Sequence, residues 1–313
     1  MRCYFAPMEG LTDSIYRRLH HKYFPGLDRY YTPFFSPTMH RKLTNREERE
    51  LPIADALDFT VIPQVLTKVP EDLLWFAAVC KDRGYNELNI NLGCPSGTVT
   101  AKGKGSGMLA DPDQLDRFLD CVFSKATLPI SVKTRLGFTD PREFIQLLEI
   151  YNQYPICELT IHPRVRKQFY NGAVEIELFD HAVQNSKNPL CYNGNLCSLQ
   201  DISSFEKKYP TVGAVMLGRA LIADPGMVCG GTKIDTLEQF HNELLETYTE
   251  VFGNARNAMF RMKENWRHLL CNFEESDKLG KRLRKTTDIS EYKAITQEIF
   301  HTLPLRKMLL ADW

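Results

Sequence analysis

Cys94 stands between Gly93 and Pro95 in "INLGCPSG", directly after the β-type run "YNELNI". Pro95 works against a helix at this point, so the thiol is held on a turn at a strand exit and not inside a helix face. A thiol so placed can act as a nucleophile, a metal ligand or an acid. Other groups able to do chemistry recur at the same kind of place. Gln64 follows "VIP", Asn91 precedes the Cys94 turn, and Lys133 lies in "SVKTR". His162 and Arg164 lie in "IHPR", Asn193 in "YNGN" and Arg219 in "LGRA". One polar residue after an apolar run has an ordinary structural explanation, whereas this many need an architecture that collects them. The glycines of "YNGN" and "LGRA" suit a phosphate held on backbone N–H groups, to which Arg219 adds a charge-assisted bond. "GSGMLA", residues 105–110, has the spacing of a dinucleotide fingerprint but does not follow a strand, and is read as a flexible lid.

The elements that must position these groups alternate along the first two-thirds of the chain. β-type runs occur at "RCYFAP", "DRYYTPF", "TVIPQVL", "NELNIN", "PISVKTR", "CELTIH", "PLCYNG" and "VGAVMLG". Amphipathic stretches such as "EDLLWFAAVCKDRG", "DQLDRFLDCVF" and "REFIQLLEIYNQY" separate most of them. This alternation predicts an α/β fold, a (β/α)8 TIM barrel, with an open doubly wound sheet as the alternative. In a barrel the C-terminal strand ends face the active site, which is where the polar residues fall. Residues 36–59 form a charged connection with no clear periodicity. From Thr236 the strand signals stop, and "LEQFHNELLETYTEVF", "RNAMFRMKENWRHLLCNF" and "ISEYKAITQEIFHTL" have helical spacing. The expected organisation is a catalytic barrel over residues 1–235 and a small all-helical domain over 236–313, with Asp235 or Thr236 capping the first helix of the latter.

Composition narrows the class. The chain has 313 residues, equal numbers of basic and acidic side chains, and 43% hydrophobic residues, which suits a soluble globular protein. "MRCYFAPMEG" lacks a signal-peptide pattern, and no apolar run approaches the ~18 residues of a membrane span. The nine cysteines are scattered singly, without zinc spacing, so neither a disulfide framework nor a metal site is expected, and a reducing cytoplasmic location is.

With these motifs in place, the chain resembles the flavin-dependent tRNA-dihydrouridine synthase (Dus) family over nearly its whole length. "APMEGLTD", "NLGCPS", "KGSGML", "SVKTRLG", "IHPRVRKQFYNG", "CYNGN" and "AVMLGRALI" occur in the family's order and spacing. The resemblance implies an FMN-bearing barrel, a helical RNA-binding domain, and reduction of tRNA uridines to 5,6-dihydrouridine with NADPH as reductant. It implies that Pro7, Met8 and Glu9 pass beside the flavin and that Gln64 and Lys133 bond its pyrimidine edge. It places the FMN phosphate on Asn193, Gly194, Asn195, Gly218 and Arg219. His162 and Arg164 would lie at the flavin and substrate edge, Asn91 at the target base, and Cys94 would be the catalytic acid. Two positions depart from the family's habit: Pro163 stands where a glycine is common, and Asn195 where an acid is.

The chemistry gives Cys94 its role. Hydride arriving at C6 of uracil leaves a need for a proton at C5, and a thiol near its usual ~8.5 is mostly protonated at neutral pH. A base inside folded RNA must be extruded to be reached, so contacts to the RNA backbone must offset that cost. Between Arg256 and Lys285 there are nine basic residues against four acidic ones, with Trp266 and His268 among them. Arg261, Lys263 and Arg267 are expected to face phosphates there, and Lys102 and Lys104 to do so from the loop after Cys94. The same chemistry on ribosomal RNA, or a flavin barrel acting on free pyrimidines, are the alternatives; the latter has no need of a basic helical tail. A monomer is favoured, and the sequence leaves open which uridine is reduced.

Overall fold

The runs of β-branched and aromatic residues pair into one parallel sheet of nine strands in the computed structural model, which describes residues 1–309. They are β1 (Arg2–Phe5), β2 (Arg29–Tyr31), β3 (Val61–Ile62), β4 (Gln64–Val65), β5 (Leu88–Leu92), β6 (Ile130–Gly137), β7 (Leu159–Val165), β8 (Leu190–Tyr192) and β9 (Ala214–Leu217). The order is β3-β2-β1-β9-β8-β7-β6-β5-β4. One more strand appears than the expected eight because Pro63 divides the third. It has no N–H to give to a ladder, so Val61 and Ile62 pair with β2 while Gln64 and Val65 pair with β5. The two ends of the sheet are therefore halves of a single chain segment, and the sheet is a TIM barrel.

The barrel interior follows the period of two that strands impose. Tyr4, Ala6, Tyr31, Ile62, Cys191, Ala214 and Met216 form one buried cluster, with Ala214 and Met216 two apart on β9 and Ala6, just past β1, two beyond Tyr4. Helices intervene where the periodicity predicts: Pro70–Asp82, Pro112–Phe123 and Glu143–Tyr151 each bury one face. The charged connection contains a helix, Asn45–Glu50, started by a capping box. Thr44 Oγ1 accepts from the Glu47 N–H, and the Glu47 carboxylate accepts from the Thr44 N–H at 2.9 Å. That T-x-x-E signal was legible without hydrophobic periodicity.

The chain divides into two compact units. The first comprises Met1–Pro7, Asp28–Asn195 and Phe205–Met216; the second comprises Met8–Leu27, Leu196–Ser204 and Leu217 onward. In the second, the helices Ile234–Phe252, Ala255–Leu269, Asp277–Lys285 and Ile289–Thr302 surround Trp266, Tyr292, Phe273 and Phe300. The first of these helices starts one residue before the expected caps, at Ile234, with Lys233 at its N-cap and no side-chain cap bond. Residues 310–313, assigned from sequence to the helical domain, lie outside the described residues.

Candidate active site

Strands β4, β5 and β6 are joined by a chain of side-chain amides that leads to the exit of β5. Gln64 Nε2 donates to Asn89 Oδ1 at 2.8 Å, Asn91 Nδ2 to Gln64 Oε1 at 2.7 Å, and Asn89 Nδ2 to Ser131 Oγ at 2.9 Å. Asn91 Oδ1 then accepts from the backbone N–H groups of Gly93 at 3.1 Å and Cys94 at 2.8 Å. That bond geometry is an Asx turn, and it turns the chain so that Cys94 leaves the strand end half-exposed. Asn91 keeps one amide hydrogen beyond these bonds. Gln64 is wholly buried.

The loop after Cys94 is folded back on it. Ser106 donates to the Cys94 carbonyl from both its N–H (3.1 Å) and its hydroxyl (2.8 Å). Gly105 has φ +57, and a Cβ there would lie 2.9 Å from the same carbonyl. "GSGMLA" is thus a 3-10 turn, Gly105–Ala110, that buries Ser106, Met108 and Leu109. The sequence reading of a flexible lid is corrected: the glycines serve close approach, and the segment is packed. Lys102 is exposed, while Lys104 Nζ donates to Ser36 Oγ at 3.0 Å.

β6 and β7 contribute the charge. Residues two apart share a strand face, so Lys133 and Arg135 project together. Lys133 Nζ donates to Asn193 Oδ1 at 2.6 Å, and Asn193 Nδ2 donates to the Met216 carbonyl at 2.7 Å. Burial, and after it the positive charge of Arg135, push the Lys133 ammonium down to about 7. Arg135 is buried, donating Nε to the Gly93 carbonyl at 2.8 Å and Nη1 to the Val165 carbonyl at 3.2 Å, and its guanidinium lies 5.3 Å from the Tyr170 ring. Burial lowers it to about 10.

Arg164, also buried, donates twice to the Gly172 carbonyl, at 2.6 and 3.2 Å, and to Asn195 Oδ1 at 3.3 Å. It lies 3.0 Å from His162 Nε2. A guanidinium only donates, so Nε2 is the acceptor in this pair. Pro163 fits within β7 because the β6–β7 register shifts between Arg135 and Gly137, and a bulge needs no N–H from it. Gly194 is required by its neighbour, since a Cβ would overlap the Tyr192 hydroxyl.

Lys133, Arg135 and Arg164 thus gather in one unit, and no carboxylate among the described residues is ion-paired with any of them. Buried cations without counter-charge are costly, so the site suits an anionic or strongly polarised ligand. Sequence reasoning missed Asn89, Arg135 and Tyr170 as site residues. For Arg135 the signal was its position two residues after Lys133; Tyr170 gave none.

The remaining predicted residues lie in the second unit, except Pro7, which ends the first segment of the first. Met8 is half-buried and Glu9 exposed. Gly218 turns the chain from β9 into the short helix Arg219–Ala223. Of the basic helical residues, Arg261 bonds the Gly10 carbonyl and the Asp13 carboxylate, and Lys263 Nζ donates to the Arg284 and Thr286 carbonyls, both at 2.8 Å. Arg267 is exposed and pairs with Glu264 at 3.0 Å. Trp266, expected on the surface, is instead buried with Nε1 donating to the Tyr292 hydroxyl at 2.9 Å. Burial, with the charges of Arg219 and Arg267 behind it, lowers His268 to about 4. The exposed basic face is completed by Lys278, Lys281, Arg284 and Lys285, on a helix that buries Leu279 and Leu283.

A parallel barrel with reactive and basic groups at its C-terminal strand ends defines an enzyme of the (β/α)8 class. Morphinone reductase shares the fold, with a TM-score of 0.53 at 12% identity over 72% of this chain and 84% of that one. The dihydrouridine synthase (Dus) family profile matches residues 4–302, and the chain belongs to that family. It is therefore an oxidoreductase. tRNA-dihydrouridine synthase B of Pasteurella multocida is 28% identical over 228 residues, covering 72% of this chain and 67% of that protein. A probable tRNA-dihydrouridine synthase of Staphylococcus aureus is 24% identical over 312 residues, covering 94% and 91%. Among the described residues, no helix is long and apolar enough to cross a membrane, and no group of three His, Cys, Asp or Glu could hold a metal ion.

Proposed function

We propose that this protein reduces uridines of tRNA to 5,6-dihydrouridine, using FMN and NADPH, with Cys94 supplying the proton at C5. The observation that carries the reading is the pairing of a presented thiol with a cationic, acid-free surround. Asn91 and Ser106 fix the turn that presents Cys94, and Lys133, Arg135 and Arg164 gather basic groups that no carboxylate among the described residues ion-pairs. That donor set fits the polar edge of a flavin mononucleotide, whose pyrimidine ring accepts hydrogen bonds.

Gln64 and Lys133 would hold the pyrimidine edge, Gln64 through the second hydrogen of its Nε2, which makes one bond to Asn89. Asn193, Gly194, Asn195, Gly218 and Arg219 are assigned to the phosphate, His162 and Arg164 to the flavin and substrate edge, and Pro7, Met8 and Glu9 to the loop alongside. When bound, FMN supplies hydride drawn from NADPH. The chain's own work is to orient the base, exclude water and deliver one proton. Asn91 has one amide hydrogen left for a base carbonyl, and Cys94 Sγ holds the proton within reach of the same base. The tRNA backbone is assigned to Arg267, to the exposed lysines and arginines of Asp277–Lys285, and to Lys102 on the barrel.

The test separates two half-reactions. Cys94→Ala should retain FMN, and NADPH should still bleach the flavin. Reoxidation by unmodified tRNA should slow by about 10²–10⁴, the contribution of a positioned general acid. Wild-type rates of dihydrouridine formation in that variant would remove Cys94 from the chemistry, and His162 would be the next acid to replace.

A further inference from the structure

Arg261 reads in sequence as one more phosphate contact on a basic helix. Its guanidinium is turned inward. Nη1 donates to the Gly10 carbonyl and Nη2 to the Asp13 carboxylate, and the side chain keeps 18% of its exposure. The Tyr248 hydroxyl reaches both Asp13 oxygens, at 2.9 and 3.0 Å, and the guanidinium lies 5.7 Å from the Tyr248 ring. Asp13 also caps the helix Ser14–Tyr23, accepting from the Tyr16 N–H at 3.0 Å.

What Arg261 grips is a closed turn. The Met8 N–H donates to Thr12 Oγ1 at 2.9 Å, and the Met8 carbonyl accepts from Leu11 at 3.0 Å and Thr12 at 3.1 Å. Arg17 Nη1 holds the Thr12 carbonyl at 2.7 Å. Gly10 sits at φ +77, a conformation an L side chain rarely adopts, and it presents its carbonyl to Arg261. The turn therefore belongs to the helical unit although the chain runs into it straight from β1. The fork of a guanidinium can hold a carbonyl and a carboxylate at once, which a lysine ammonium does less rigidly.

We propose that Arg261 is a positioning residue for the cofactor: it fixes the Met8–Asp13 turn, so the helix that carries Arg267 to the RNA also sets the loop that carries Met8 and Glu9 to the flavin. The inference rests on the FMN reading above. It gives Arg261 a role that can be measured without RNA and without turnover.

The experiment compares the full-length variants Arg261→Gln, Arg261→Lys, Tyr248→Phe and Arg267→Gln. Three quantities are read: amide exchange of Leu11 and Thr12 in flavin-free protein, FMN affinity by fluorescence quenching, and affinity for an unmodified tRNA transcript at saturating FMN. Losing a charge-assisted pair should raise exchange and weaken FMN binding roughly tenfold or more in Arg261→Gln. Arg261→Lys should recover part of both, and Tyr248→Phe should move both in the same direction by less. Arg267→Gln should show the reverse pattern, weaker tRNA binding with exchange and FMN affinity unchanged. If Arg261→Gln does not fold, Arg261→Lys and Tyr248→Phe decide. Wild-type exchange and FMN affinity in the Arg261 variants, with tRNA binding lost, would make Arg261 a phosphate contact and overturn the proposal. Failure of the wild type to bind FMN at all would instead sink the FMN reading, and the exchange data would still report on the tether.

Discussion

Lys133 should take up a proton when FMN binds, and the amount follows from its surroundings. Burial and the neighbouring Arg135 hold its ammonium at about 7, against an ordinary ~10.4. At pH 8, one unit above that value, about nine-tenths of flavin-free molecules carry a neutral Lys133, and at pH 6 about one-tenth do. An electron-rich ligand edge accepting from Nζ favours the charged form. Binding should therefore draw in close to ~0.9 proton at pH 8 and only ~0.1 at pH 6. Calorimetric titration of flavin-free protein with FMN, in buffers of different ionisation enthalpy, reads that number directly. Lys133→Met should bind FMN more weakly and lose the pH-dependent uptake. The same shift has a sign for stability. Between about pH 7 and pH 10 the unfolded chain holds a proton on this lysine that the folded chain has lost. This group's contribution therefore makes the flavin-free protein more stable as pH rises across that window, the reverse of a lysine held in an ion pair. Uptake that is flat from pH 6 to 8, or identical in Lys133→Met, would refute the placement of FMN beside this side chain.

Gly105→Ala should be costly at a distance from any contact with substrate: its Cβ would press on the Cys94 carbonyl at 2.9 Å from a backbone at φ +57. The expected outcome is slower dihydrouridine formation and lower melting temperature with FMN affinity kept, and a fully active variant would show that the Cys94 turn tolerates displacement. Trp266→Ala should destabilise the protein by about 3–5 kcal/mol, as for a large buried aromatic, and leave the salt dependence of tRNA binding alone. Arg267→Glu should do the opposite, lowering the salt slope with little change in melting temperature. Exchange of those two signatures would mean that the buried and exposed faces of Ala255–Leu269 have been misassigned.

β-type runs between amphipathic stretches sufficed for the barrel, because burial on both sides of a parallel strand writes itself into consecutive apolar positions. Pro63 changed the strand count but not the architecture. "NLGCPS" was legible as a turn from Gly93 and Pro95, and the polar residues at the strand ends were legible as a set. What each set member bonds was not. Gln64 and Asn91 read as ligand contacts, yet their main partners are each other, Asn89 and the Cys94 turn. The glycines of "GSGMLA" read as mobility, whereas they admit the close approach of two backbone segments.

The helical part divides the same way. Its helices could be drawn from spacing alone, but the side of Ala255–Leu269 that faces solvent could not. Trp266 and Arg261 are composed like RNA-binding residues, and one is core while the other is a tether. Fold class, helical tail and the chemistry-bearing residue types could be read along the chain, because those depend on local patterns of polarity and on short backbone motifs. Which cations remain for a ligand, and which are taken up by Asp13, Gly10 or a helix end, is set by the packed chain. That choice depends on partners such as Asp13, 248 positions from Arg261, and no local pattern encodes a contact across that distance.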